Sequence, residues 1–344
     1  MIELINKIHL ANSEKFLSKI NDNSIKLIIT SPPYWDAVKY ENTNKYNSGS
    51  YEIYLKSLEK IWIECERILE PNGKLAINSP IMPIPQQIIN QDTRHIKNIN
   101  NDIEKSLLKN TKLNLFSLYI WQKQTSKLMF GSYPYPGNLL ENNTIEFINI
   151  FVKPGKSKKY DKITKEKNLL SKDEWIDLTQ QVWFMVPDDI ARKKGHPAPF
   201  PEKLPARLIK MFSHSASETY DGDIVLDPFC GLGTTCIAAK KLDRRFIGVD
   251  IVKKYTDLAK AKVHNTKKIP SIYLIGKSKF KSKKELLEIQ SNLNLNSIQN
   301  NKNSKQKLNT NKDIKKNRSK KYGRGVISNE VEDAQYDMIL EEKD

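Results

Sequence analysis

The segment DIVLDPFCGLGTTCIAAKKLDRRFIGVD, residues 223–250, largely determines the predicted fold class. A short apolar run ends at Asp227, a glycine-containing turn follows, and a second apolar run ends at Asp250. The residues from Thr234 onward predict a helix between the two runs. A strand, a tight turn, a helix and a second strand are typical of a parallel sheet. The chain is therefore predicted to be an α/β protein.

The turn of this unit is suited to a nucleoside. Gly231 and Gly233 let the backbone approach a ligand closely, and a helix that begins at Thr234 presents free N–H groups. Asp250 ends the second strand, where a carboxylate can accept hydrogen bonds from both ribose hydroxyls. The turn has neither GxGxxG spacing nor a P-loop lysine, so the predicted ligand carries no phosphates. S-adenosylmethionine fits this description, and the alternative is a purely structural βαβ unit.

Strand-like and helix-like runs alternate over residues 1–266. Apolar residues of the run 51–69 fall on one face of a helix, and EPNG at 70–73 predicts a turn. Two stretches, 79–113 and 155–195, fit the alternation less well. Strands are predicted at 26–30, 74–78, 115–122, 144–153, 223–227 and 245–250.

The motif TSPPYWD, residues 30–36, directly follows the predicted strand KLIIT. Two prolines hold the chain extended and leave the Pro32 carbonyl outside any strand ladder. Ser31 adds a hydroxyl, and Tyr34 adds an aromatic face. These groups are able to hold an exocyclic amine of a base between two acceptors and a ring. Alone, the motif is more often a rigid loop or a polyproline ligand, but the end of a parallel strand favours a site.

Charge is concentrated near the end of the chain. The chain has 57 Lys and Arg against 40 Asp and Glu, a net charge of +17, which suggests a polyanionic partner. Residues 267–324 hold 17 basic and 3 acidic side chains. Residues 278–344 are poor in apolar groups and are predicted to be disordered. This tail either tracks phosphates or is a low-complexity extension. Three cysteines predict no disulfide scaffold, and we expect neither a signal peptide nor a membrane-spanning helix.

SPPY at 31–34, followed much later by DPFCGLGTT at 227–235, resembles the DNA amino-methyltransferases, which modify cytosine N4 or adenine N6. The order of the motifs resembles the beta group of that family. The segment GHPAPFPEKLPARLIKMFS, 195–213, is similar to the stretch that these enzymes place around the methionine end of the cofactor. The resemblance covers about residues 24–264. It implies a doubly wound, Rossmann-like methyltransferase sheet of the α/β class, with permuted motif order and a small DNA-recognition insert.

In such a sheet the strand that ends at Asp227 and the strand KLIIT are neighbours, so Ser31 is expected close to Asp227. The implied catalytic residues are Ser31, Pro32, Pro33 and Tyr34. The implied cofactor-binding residues, for S-adenosyl-L-methionine, are Phe200, Pro201, Leu204, Asp227, Pro228, Phe229, Gly231, Gly233, Thr234, Thr235 and Asp250.

The chain divides by prediction into four parts. Residues 1–154 form the catalytic half, 155–195 a candidate target-recognition segment, 196–266 the cofactor-binding half and 278–344 the basic tail. Within the recognition segment the candidate DNA contacts are Lys156, Lys158, Lys159 and Trp175. The alternative for the lysines is a solvated face. Core packing is preferred for Trp183, and a structural role for His196.

Serine at position 31 is typical of the N4-cytosine enzymes of this family, so we expect methylation of a flipped cytosine in double-stranded DNA, with Tyr34 stacking on the base. Adenine N6 is the alternative target. An inactive, S-adenosylmethionine-sensing DNA-binding protein is the alternative from another class, and an RNA or small-molecule methyltransferase is disfavoured. A cognate restriction endonuclease is an expected functional partner. We expect a bacterial, cytoplasmic, nucleoid-associated protein without a metal.

Overall fold

A computed structural model describes residues 2–35, 50–84, 95–123, 136–137, 143–187 and 200–268. The predicted tail and His196 lie outside these residues. The strands are β1 Lys7–Leu10, β2 Ile25–Thr30, β3 Leu69–Ser79, β4 Met82–Ile84, β5 His95–Lys97, β6 Asn114–Gln122, β7 Ile145–Val152, β8 Val182–Phe184, β9 Ile224–Asp227 and β10 Arg245–Asp250. The α-helices are α1 Ser13–Leu17, α2 Tyr51–Ile68, α3 Ile99–Asn110, α4 Lys162–Lys167, α5 Lys172–Leu178, α6 Lys203–Phe212, α7 Thr234–Lys241 and α8 Lys253–His264.

One sheet of eight strands organises the described residues, in the order β1-β10-β9-β2-β3-β7-β6-β8. The strands from β1 to β3 are parallel, whereas β7 is antiparallel to both β3 and β6. The expectation of a parallel sheet is therefore wrong for β7. The neighbouring positions of β9 and β2 confirm the predicted switch point. From β9 the chain proceeds to one side of the sheet and from β2 to the other, which opens a crevice at their carboxyl ends.

The predicted strands and the helix 51–69 lie within one or two residues of those observed at most ends, and β3 is the exception. Its first residue Leu69 pairs with Ile25, and Lys74 pairs with Leu27. The predicted turn, residues 70–73, is therefore an irregularity inside β3. Asn72 has a φ of +62° there, and its N–H donates to the Lys153 carbonyl at 2.9 Å, so the turn pairs with the end of β7.

Apolar residues cover both faces of the sheet. On one face α2 buries Leu58, Trp62 and Cys65 against strand residues. On the other face α6 and α7 pack against β2 and β9. Trp183 belongs to this second cluster and is 2% exposed, which confirms the prediction of core packing. The three cysteines are buried free thiols, as expected of small hydrophobes.

The candidate recognition segment is packed into this fold. Its strand β8 pairs in parallel with β6 at the edge of the sheet. Arg207 of α6 is 4% exposed, donates to Asp177 at 2.6 Å and lies over the Trp183 ring. A buried ion pair thus fixes α5 against the cofactor-side helix. Within the described ranges, none of the helices is long and apolar enough to cross a membrane.

Candidate active site

The two predicted motifs meet at the carboxyl ends of β2 and β9. Thr30, the last residue of β2, donates its hydroxyl to Asp227 Oδ1 at 2.9 Å. Thr235, in the first turn of α7, donates to Asp227 Oδ2 at 2.7 Å. The N–H of Phe229 also donates to Oδ1, at 3.1 Å. A single carboxylate therefore joins the strand that carries Ser31 to the glycine turn.

Asp227 is 1% exposed, and its two oxygens accept these three hydrogen bonds. Burial raises the pKa of its carboxyl group to about 6, although the Thr235 hydroxyl and the other donors oppose that change. Since its oxygens are engaged inside the protein, Asp227 acts on a ligand through the shape of the turn.

The turn after Asp227 forms a cradle of backbone groups. Gly231 and Gly233 have φ angles of +49° and +81°, in the left-handed region that favours glycine. A Cβ on Gly233 would also lie 3.0 Å from the Cβ of Ala259. Gly233 caps α7, whose first turn begins at Thr234. Side chains are therefore excluded where the backbone faces the crevice.

Asp250 closes this cradle from the end of β10. Its Oδ2 accepts the N–H of Gly231 and its Oδ1 the N–H of Val252, both at 2.8 Å. Burial raises the pKa of Asp250, and these backbone donors oppose the change. A carboxylate has about four acceptor positions, so each oxygen retains one for a ligand hydroxyl. The pair of oxygens beside a glycine turn fits the two hydroxyls of a ribose.

The predicted cofactor residues before the turn are largely buried. Phe200 and Leu204 belong to the same apolar cluster as Leu27 and Ile29 of β2. The Pro201 carbonyl accepts the N–H of Leu204 at 3.0 Å, at the start of α6. Leu204 is inaccessible to solvent, so its side chain shapes the core behind the crevice. The Pro228 carbonyl accepts the hydroxyl of Ser13, which anchors α1 to the turn.

The SPPY residues take part in a hydrogen-bond network that reaches three strands. Ser31 Oγ lies 2.9 Å from the Tyr34 hydroxyl, which donates to Glu146 Oε2 of β7 at 3.0 Å. Asn78 Nδ2 of β3 donates to the same Glu146 oxygen at 2.6 Å. Lys123, which follows β6, forms an ion pair with Glu146 Oε1 at 3.1 Å. The predicted catalytic loop is thus supported by a buried carboxylate.

The candidate DNA-binding residues lie apart from Ser31. Lys158 donates to the Tyr220 hydroxyl at 3.1 Å, and Tyr220 donates to Asp223 directly before β9. This contact is at the amino end of β9, whereas Asp227 is at its carboxyl end. Gly155, which precedes the lysines, lies against Pro71 at the beginning of β3. The segment 156–159 therefore lies along the opposite edge of the sheet. Trp175 is 61% exposed on α5.

Sequence reasoning did not find Thr30, Asn78, Lys123 or Glu146. The available signal was a polar residue inside an otherwise apolar strand, as in TIEFINIFV for Glu146 and KLAINS for Asn78. Burying such groups is costly unless they are paired, so their position in a strand pattern indicates a network. In the described part of the chain, no group of three or more His, Cys, Asp or Glu is placed to hold a metal ion.

Comparisons with known proteins agree on one family. The N6/N4 methyltransferase family, described as DNA methylase, matches residues 25–261. The chain is 30% identical to the type II methyltransferase M.MthZI of Methanothermobacter thermautotrophicus, over 76% of this chain and 78% of that protein. It is 31% identical to the type II methyltransferase M.MjaI of Methanocaldococcus jannaschii, over 72% of this chain and 88% of the relative.

Solved structures share the fold. A DNA modification methylase of Thermus thermophilus, TTHA0409, solved as a complex with S-adenosyl-L-methionine, superimposes with a TM-score of 0.60 and 29% identity. The match covers 76% of this chain and 93% of that one. The PvuII cytosine-N4-specific DNA methyltransferase, at 19% identity and a TM-score of 0.54, covers 78% of this chain and 89% of its own. At that identity it supports the fold alone.

Proposed function

The chain belongs to the N6/N4 DNA methylase family, and from this premise we propose that it methylates the N4 amine of cytosine in double-stranded DNA. S-adenosylmethionine is the cofactor. When bound, it supplies an electrophilic methyl group. The cradle of Gly231, Gly233 and Asp250 fits its nucleoside, because small residues and a carboxylate meet there.

One observation carries the proposal: the hydrogen bond from Thr30 to Asp227. It fixes the strand before Ser31 to the strand before the glycine turn. Ser31 and the Pro32 carbonyl are therefore held next to the cradle, where an amine acceptor pair is needed. Such positioning accounts for a large part of a rate enhancement when the reacting groups belong to two molecules.

An exocyclic amine is a poor nucleophile because its lone pair is delocalised into the ring. Acceptors at Ser31 Oγ and the Pro32 carbonyl favour a tetrahedral nitrogen, whose lone pair is then available for methylation. No cysteine nucleophile is needed. Burial raises the pKa values of the Cys230 and Cys236 thiols, so both stay protonated at neutral pH. This favours amine methylation over attack at the cytosine C5 position.

The proposal includes flipping of the target base into the crevice, because a paired base is inaccessible within the duplex. Tyr34 is the proposed stacking partner. Its ring is 5% exposed in the structure, so stacking requires the ring to be uncovered first. Serine at position 31 is the residue that favours cytosine over adenine in this proposal.

We further propose that the protein protects DNA within a restriction-modification system, opposite an endonuclease that acts on the same sequence, and that it is associated with the nucleoid. The lysines of the segment 156–159 remain candidate phosphate contacts for DNA that passes the amino edge of the sheet. Trp175 remains a candidate contact because its ring is exposed.

Sequencing of plasmid DNA from cells that express the chain tests the proposal, in a host without other DNA methyltransferases. We expect N4-methylcytosine at one recurrent sequence, and no modification with Ser31→Ala as the control. N6-methyladenine would assign the alternative base. Unmodified DNA from cells that contain folded wild-type protein would favour the S-adenosylmethionine-sensing DNA-binding protein.

A further inference from the structure

A buried carboxylate lies directly behind the proposed catalytic loop. Glu146 accepts a hydrogen bond from the Tyr34 hydroxyl at 3.0 Å and another from Asn78 Nδ2 at 2.6 Å. Its second oxygen is 3.1 Å from the Lys123 ammonium. An ionised carboxylate accepts hydrogen bonds and donates none. Each contact of Glu146 therefore has a fixed direction.

That direction extends to Ser31. The Tyr34 hydroxyl has one proton, and it is donated to Glu146. The 2.9 Å hydrogen bond between Ser31 Oγ and the Tyr34 oxygen must therefore use the proton of Ser31. With its proton directed at Tyr34, the Ser31 oxygen has only lone pairs to offer an amine. An amine donates through its hydrogens, so this is the polarity that amine binding requires.

We propose that Glu146 is a positioning residue that sets this polarity, so that Ser31 faces the target base as an acceptor. The inference rests on the proposed function, since it concerns the same amine. It adds that Tyr34 acts through its hydroxyl as well as through its ring. It also makes Glu146 a determinant of which base, an amine or a carbonyl, the crevice accepts.

The same groups form a path for the proton that the amine must lose. As the N–H bond breaks, Ser31 Oγ takes that proton, Tyr34 takes the Ser31 proton, and Glu146 Oε2 takes the Tyr34 proton. One N–H bond is lost and one O–H bond is gained. The positive charge that the nitrogen acquired with the methyl group cancels the charge of the carboxylate, and no further reactant is required.

Glu146→Gln reverses the chain of hydrogen bonds. Lys123 needs an acceptor, so the amide oxygen of Gln turns to Lys123 and the amide nitrogen turns to Tyr34. Tyr34 then accepts from Gln and donates to Ser31, whose proton is directed at the base. Asn78 accommodates the change, because its buried Oδ1 has no partner among the described residues and an inverted amide would present it to Gln. A carbonyl base is then favoured where an amine base was favoured before.

The first test is equilibrium binding to a duplex that carries the mapped sequence. The target position, opposite an abasic site so that flipping is equally easy, holds cytosine or uracil. The measured quantity is the ratio of the two dissociation constants. We expect Glu146→Gln to shift this ratio by about tenfold toward uracil, the range for a mismatched buried hydrogen bond. If adenine is the mapped base, hypoxanthine replaces uracil.

The second test is turnover with a matched control. Glu104 accepts from Asn149 Nδ2 at 2.7 Å, and Asn149 lies on β7 near Glu146. Glu104→Gln thus makes the same chemical change without contact to Ser31, and it should leave kcat and the binding ratio unchanged. Glu146→Gln should lower kcat at least about tenfold with a smaller change in KM. Glu146→Asp, which remains an acceptor, should retain more turnover than the isosteric Gln variant.

Tyr34→Phe provides a second route, should Glu146→Gln fail to fold. It removes the hydroxyl between Ser31 and Glu146, so it should shift the binding ratio in the same direction, and combining both changes should add little. If wild-type protein leaves no methylated base, the proposed function is wrong. If it methylates DNA while Tyr34→Phe and a folded Glu146→Gln keep the wild-type binding ratio, only the polarity assignment is overturned.

Discussion

Asp227 gives the folded protein a pH dependence that can be worked out from its surroundings. Burial raises its pKa from 3.8 to about 6, and the unfolded chain is expected to show the lower value. The folded state therefore binds the proton more tightly. Stability from this group is complete below pH 4 and declines as the pH rises through 6. A difference of about two pKa units corresponds to about 3 kcal/mol.

The comparison of wild-type protein with Asp227→Asn isolates this contribution. Asparagine retains an acceptor and the volume of the side chain, but it does not titrate. Urea unfolding followed by tryptophan fluorescence at several values between pH 4 and 7.5 gives both free energies of unfolding. We expect the wild type to lose about 3 kcal/mol relative to the variant over this interval.

Thr235→Val is the companion variant. Its hydroxyl donates to Asp227 at 2.7 Å and lowers the carboxyl pKa, so its removal should move the loss of stability to higher pH. Parallel curves for wild type and Asp227→Asn would refute the reasoning, because a carboxyl group with equal pKa in both states contributes no such slope.

The geometry also makes three further predictions. Asp250→Ala removes the carboxylate that holds Gly231 and faces the ribose, so calorimetry should show S-adenosylmethionine binding weakened by about 1.5–3 kcal/mol. Gly248→Ala places a Cβ 2.7 Å from Cys236 Sγ, and urea unfolding should show a loss of about 1–3 kcal/mol. Alanine at Lys156, Lys158 and Lys159 should leave the salt dependence of DNA binding unchanged, because these residues lie opposite the crevice. A slope reduced by about 2.7 would instead indicate three phosphate contacts at that edge.

The sheet could largely be predicted because its central strands are short apolar runs bounded by turn residues. The adjacency of β2 and β9 followed from the motif order and is confirmed by their pairing. β1 was not predicted, since KIHL is four residues long and its second apolar residue is exposed at the sheet edge. The stretch 79–113 was not assigned either, although α3 covers part of the sheet. Its polar residues lie on the exposed side of α3, and only Ile99, Ile103 and Leu107 are buried.

The candidate site was predictable where a residue type has a local reason. Gly233 requires a left-handed backbone, and Ser31 follows a strand end. The network of Glu146, Asn78 and Lys123 was not, because its members come from three strands that are distant in the chain. Local sequence does not contain their pairing. The orientation of the lysines at 156–159 was missed for a related reason: charge indicates a partner but not the edge of the sheet that it faces.

The central claim is that the SPPY loop methylates an exocyclic amine of a DNA base. Its most direct test is to incubate the purified protein with DNA and S-adenosylmethionine, digest the DNA to nucleosides and separate the methylated products. The account predicts N4-methyldeoxycytidine from the wild type. It predicts product formation lowered on the order of 10²–10³-fold by Ser31→Ala, whose fold and cofactor affinity should be retained. Formation of 5-methyldeoxycytidine, or wild-type turnover in Ser31→Ala, would contradict it.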